Sequence, residues 1–156
     1  MGRKDADYRR RLDEARREST AQLLFKCARR VNEIALDRLP DEASGLRPAH
    51  TALFPYLRLE GIRQTELAAR LGITKQAVGP LIADLETMGL VSRVPDPADR
   101  RAKLVVWTDA GREAMLLGLS HLRAIEREFE TALGTSAWRH LREGLLRLHD
   151  HLDDAS

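Results

Sequence analysis

A chain of 156 residues that is 43% apolar and 32% charged has the size and composition of one globular domain, and is too apolar to be wholly disordered. Its 26 basic and 24 acidic side chains leave a net charge of +2, which excludes a histone-like polycation but not a local basic face. No apolar run approaches the ~18 residues that span a bilayer, none near the start resembles a secretory signal, and one cysteine cannot form an internal disulfide. A cytoplasmic protein with no membrane partner is expected.

Arg supplies 22 of the 26 basic residues. Guanidinium forks match phosphate and guanine geometry, although a GC-rich coding bias accounts for the same excess. The charge is uneven: residues 1–38 carry a net +4 and residues 104–156 a net −3.

Residues 1–18 are dominated by charge and read as a flexible tail. From Ser19 an amphipathic helix follows, with Leu24, Val31, Ile34 and Leu39 at three- and four-residue steps. Pro40 ends it, and a loop runs to Gly45. A second helix opens at Pro48, carries Leu53, Phe54 and Leu57 inward, is kinked at Pro55 and closes at Gly61. Gln64 to Leu71 is a short helix stopped by Gly72. Thr74 is the N-cap candidate for a helix from Lys75 to Met88, whose buried face is Val78, Leu81, Ile82 and Leu85. The period then becomes extended: Leu90–Pro95 is one strand, Asp96–Arg101 a turn and Lys103–Trp107 the return strand. Thr108 N-caps a long helix broken at Gly134, and a last helix carries Trp138, Leu141, Leu145, Leu148 and Leu152 in a heptad-like seam.

The segment Gly61–Gly111 carries the function. Two helices joined by the tight turn Leu71-Gly72-Ile73-Thr74, with Ile73 as an apolar plug, form a helix-turn-helix. The first turn of its second helix presents Thr74, Lys75 and Gln76 to a major groove, where Gln pairs with adenine. Gln64 and Thr65, opening the first helix, are further DNA-contact candidates. Gly79 and Pro80 have no polar reach. The hairpin tip bears Arg100 and Arg101, suited to a narrow minor groove, beside Asp99, which stabilises the wing. Arg93 is placed to meet a phosphate. The fold class is mainly α with a small β-hairpin wing.

The strings Thr65-Glu66-Leu67-Ala68-Ala69-Arg70-Leu71-Gly72-Ile73-Thr74-Lys75-Gln76-Ala77 and Asp84 to Val91, then Asp96-Pro97-Ala98-Asp99-Arg100-Arg101 and Thr108 to Gly111, resemble the MarR family of bacterial transcription regulators. The resemblance covers residues 20–152 in element order and is strongest over 61–111. It implies a homodimer whose first and last helices interlock, so that 19–46 and 109–156 form the dimerisation region and 47–108 the DNA-binding region. It implies a pseudo-palindromic double-stranded operator, and repression relieved by a small-molecule effector. It places the wing's Asp-x-Arg pair on Asp99 and Arg101, and an effector pocket at His50, Phe54, Tyr56 and Trp107, each of which also suits plain core. Three residues depart from the pattern: Arg63 replaces a Thr or Ser cap, Pro80 interrupts the recognition helix and predicts a kink or widened turn there, and Trp107 replaces a Leu.

Cys27 is expected to face inward as a small hydrophobe. His140, His149 and His151 read as solvated, and no metal site is expected. The chain holds no Ser-His-Asp set, P-loop or metal-ligand spacing, so neither enzyme activity nor a cofactor is expected. The competing reading is a winged-helix protein-interaction module without operator specificity, favoured by the low net charge.

Overall fold

The computed structural model describes residues 3–39 and 45–154; most of the loop expected at Pro40–Gly45 lies outside the described residues. The chain divides into two compact units, one running to Thr108 and one starting at Asp109.

The first unit opens with helix α1 (Arg3–Glu18), in place of the expected flexible tail. Charge conceals this helix, because no apolar stripe reveals its period. Its Ala, Arg, Glu and Leu residues have high helix propensity. Asp5 lies in the first turn and Arg16 and Arg17 in the last, matching the helix dipole. Asp7 pairs with Arg10 at 2.6 Å, an i,i+3 contact. Helix α2 (Thr20–Asp37) is capped by Ser19, whose hydroxyl accepts from the Gln22 amide at 3.3 Å. Its apolar positions Leu24, Val31 and Ile34 are half-buried, but Cys27 is exposed, contrary to expectation. Cys27 lies between Val31 and Ile34 on the same helix face, but no residue of α2 is fully buried.

Helix α3 (Pro48–Thr51) is shorter than expected. Pro55 has no N–H to give to the Thr51 carbonyl, so the α-helix stops and a 3-10 turn, Phe54–Tyr56, follows. Pro55 therefore breaks the element instead of kinking it. Leu53 and Leu57 still point into the core. The Thr51 hydroxyl ties this segment to α2 through Asn32 Oδ1 at 3.0 Å.

Helices α4 (Gln64–Leu71) and α5 (Lys75–Thr87) form the expected pair. Gly72 caps α4 in the left-handed conformation, φ 66°, and Thr74 caps α5 by accepting from the Ala77 amide at 3.2 Å. The fully buried Leu67, Val78, Ile82 and Leu85 fuse the two helices, each contributing about 1.5–3 kcal/mol. Ile73 is 42% exposed and is not the plug; Leu67, Ala68 and Val78 fill that corner. Helix α5 runs unbroken through Pro80. The loss is confined to the bond Pro80 would have given the Gln76 carbonyl.

A three-stranded antiparallel sheet completes this unit, in the order β1 (Ile62–Arg63), β3 (Asp99–Trp107), β2 (Val91–Asp96). Sequence periodicity cannot detect a two-residue strand such as β1. It is held by the pairs Ile62↔Val105 and Arg63↔Leu104. The return strand begins at Asp99, not Lys103, so Arg100 and Arg101 lie on the strand beside a tip made by Pro97 and Ala98. The Thr108 hydroxyl donates to the Gly89 carbonyl at 2.6 Å, closing the base of the hairpin onto the turn after α5.

The second unit is a pair of helices, α6 (Asp109–Leu133) and α7 (Thr135–Asp154). Gly134 turns the chain at φ 82°, and Phe129 meets Trp138 with ring centroids 6.1 Å apart. Ile125 is buried, but Leu119, Leu133, Leu141, Leu145, Leu148 and Leu152 are all exposed. Among the described residues no helix is long and apolar enough to cross a membrane, and no cluster of three His, Cys, Asp or Glu side chains is placed to hold a metal ion.

Candidate nucleic-acid interface

Thr74, the cap of α5, and Lys75 and Gln76 in its first turn are exposed. Thr65 is exposed on α4. Gln64 is half-buried. Its amide donates to the Lys75 carbonyl at 2.8 Å, bracing the start of α4 against the start of α5. Gly79 leaves room for this brace, since a Cβ there would sit 3.3 Å from Gln64 Nε2.

The wing is braced by residues outside the Asp-x-Arg pair. Arg63 is the N-cap of α4 and makes no side-chain cap bond. Its guanidinium instead reaches across the sheet to Asp96, with Nε at 2.7 Å and Nη2 at 2.6 Å from the same carboxylate oxygen. The other oxygen of Asp96 accepts from the Ala98 amide at 2.8 Å, which fixes the turn at the tip. That backbone bond and the Arg63 guanidinium hold the Asp96 carboxyl below its ordinary range, and Asp96 in turn raises Arg63. Asp99 accepts from the Arg101 backbone amide at 3.1 Å and lies 3.9 Å from Arg63. It thus steadies the chain at Arg101 through the backbone, and the side chains of Arg100 and Arg101 project into solvent. The signal that points to Asp96 is Asp-Pro at a hairpin turn; nothing in the sequence pairs it with Arg63, 33 residues away.

Arg93 does not stand ready for a phosphate. Its guanidinium pairs with Glu86 on α5 and reaches the Gly79 carbonyl at 3.5 Å, with only about a quarter of the side chain exposed. A second such clamp lies on the opposite flank of α5, where Arg47 pairs with Asp84. His50 is fully buried beside it: Nδ1 accepts from the Arg47 amide at 3.1 Å, and Nε2 lies 3.2 Å from Asp84.

The four residues expected around an effector differ in what they already bond. Phe54 and Trp107 meet, with ring centroids 5.4 Å apart. Trp107 is buried and its indole N–H is spent on the Leu57 carbonyl at 3.1 Å, so it anchors the core beneath the sheet. His50 is taken up by Arg47 and Asp84. Phe54 and Tyr56 remain half-buried.

Residues 44–102 match the sequence model of the MarR family. The transcriptional activatory protein BadR of Rhodopseudomonas palustris is 29% identical over 141 residues, which span 85% of this chain and 79% of BadR. Among solved structures, the transcriptional repressor CouR bound to a 23-mer DNA duplex is 28% identical, with a TM-score of 0.62 over 87% of this chain and 93% of that one. MarR itself shares the fold at a TM-score of 0.72, over 89% of this chain and 95% of that one, with 23% identity.

Proposed function

We propose, from the premise that this chain belongs to the MarR family of winged-helix transcription regulators, that it works as a homodimeric, sequence-specific repressor whose operator binding is relieved by a small-molecule effector. The observation that carries the reading is the braced reading head. An exposed helix start at Thr74, Lys75 and Gln76 stands in the same unit as a wing stiffened by Arg63 and Asp96, from which Arg100 and Arg101 project. The helix start suits a major groove and the arginines an adjacent minor groove. That CouR was solved on a DNA duplex supports the same use here.

The exposed leucines of α6 and α7, with Leu23 and Phe25 on α2, support a dimer, because apolar side chains at 40–72% exposure need a partner surface. Two reading heads would then meet half-sites about one helical turn, ~10 bp, apart. A protomer charge of +2 supplies little long-range attraction, so affinity depends on both heads landing together. Occupancy of an operator overlapping a promoter blocks transcription. An effector acts through the half-buried Phe54 and Tyr56, the two residues of the expected pocket whose surfaces are not already closed.

The test is affinity for selected and for random duplex, titrated against salt. A steep slope with specific binding at least ~10³ tighter than random supports the proposal. No detectable binding at low salt overturns it.

A further inference from the structure

The outer stripe of α5 is almost without charge. At 3.6 residues per turn, Gln76, Pro80, Ala83 and Thr87 align on one side of the helix, and all four are exposed. Lys75 is the one cation of α5 and lies about 100° around the helix from Gln76. The Thr87 hydroxyl is committed to the Ala83 carbonyl at 3.0 Å. The helix also carries two carboxylates, Asp84 and Glu86, either of which would accept from a cytosine amino group. Both are already held, Asp84 by Arg47 and Glu86 by Arg93. The stripe is left with one hydrogen-bonding reader, Gln76, followed by the apolar surfaces of Pro80 and Ala83.

Such a stripe suits one kind of base pair. Gln bonds the N6/N7 edge of adenine, and the thymine C5-methyl is the only apolar group that bases present in the major groove. Either base pair opposite Pro80 or Ala83 loses water from its polar edges, but only A·T offers a methyl whose burial offsets that loss. We infer that α5 reads an A·T-rich half-site core, with adenine opposite Gln76 and thymine methyls packed on Pro80 and Ala83. The inference rests on the DNA-binding reading above and specifies its substrate.

The test uses the full chain. Bound duplexes are selected from a random pool, and the thymines of the resulting core are replaced by deoxyuridine, which removes only the methyl. Minor-groove contacts from the wing do not see that methyl, so the substitution isolates α5. The expected result is an A·T core whose affinity drops about fourfold per methyl removed, with the salt slope unchanged. Gln76→Arg should move the preference at one position to guanine. A G·C core, or equal affinity for the thymine and deoxyuridine duplexes, overturns this inference and leaves the regulator reading standing. No selection and no salt-dependent binding overturns both.

Discussion

Gly61→Ala should damage the wing from a distance. Gly61 precedes β1 at φ +89°, a conformation that L side chains rarely adopt. A Cβ there would lie 2.7 Å from Val106 Cγ1, 3.1 Å from Leu104 Cβ and 3.2 Å from the Val105 carbonyl. The contacts are with β3 itself, so relief requires β1 and β3 to separate. Backbone strain costs about 1–2 kcal/mol and overpacking about 1–3 kcal/mol, for a total near 2–5 kcal/mol. At about 2–4 °C per kcal/mol for a chain of this size, the melting temperature should fall by roughly 10 °C. β1 carries Arg63, so a displaced β1 also loosens the bond to Asp96, and DNA affinity should drop at temperatures where the protein is still folded. Gly72→Ala is the control. Gly72 also has positive φ, at 66°, but a Cβ there meets nothing within 4 Å, so only strain of about 1–2 kcal/mol is expected. Thermal unfolding by circular dichroism and a fluorescence-polarisation DNA titration read both effects. Equal, small shifts for the two variants would refute the argument from packing against β3.

Arg101→Ala should weaken DNA binding and lower the salt slope by about 0.9 for each phosphate that is no longer neutralised, with the dimer intact by sedimentation; an unchanged slope would remove Arg101 from the interface. Arg93→Ala should also weaken binding, because it exposes Glu86 on the reading helix. Adding Glu86→Gln should restore affinity, whereas no restoration would return Arg93 to direct phosphate contact. Asp96 gives an acid limb. Its folded pKa lies below the unfolded value, so its stabilising contribution is present above about pH 4 and is lost as pH falls through the folded value. Asp96→Asn should flatten that limb in urea unfolding measured from about pH 5 down to about pH 2, and an unaltered limb would count against the Arg63–Asp96 bond.

The helix-turn-helix is legible in the sequence because its signals are local. Gly72 and Thr74 are stop and cap within three residues, and Val78, Ile82 and Leu85 repeat at helical steps. The bracing of the wing is not local. Arg63 looks like a missing cap until β1 pairs with β3, and only that register brings it to Asp96. Arg93 shows the same limit, since its partners Glu86 and Gly79 belong to the preceding helix and a strand's side-chain direction is fixed by pairing. α1 is hidden for the opposite reason: propensity and i,i+3 ion pairs form it without an apolar stripe. Apolar periodicity points Cys27 inward and the tight turn points Ile73 inward, yet both are exposed.

Two braced heads, one from each protomer, are expected to bind one operator together. The direct measurement is helical phasing, in which about 5 bp are inserted between the half-sites of a selected operator, turning one half-site to the far face of the duplex. Affinity is expected to fall to that of a single half-site. Undiminished affinity for the inserted duplex would contradict it.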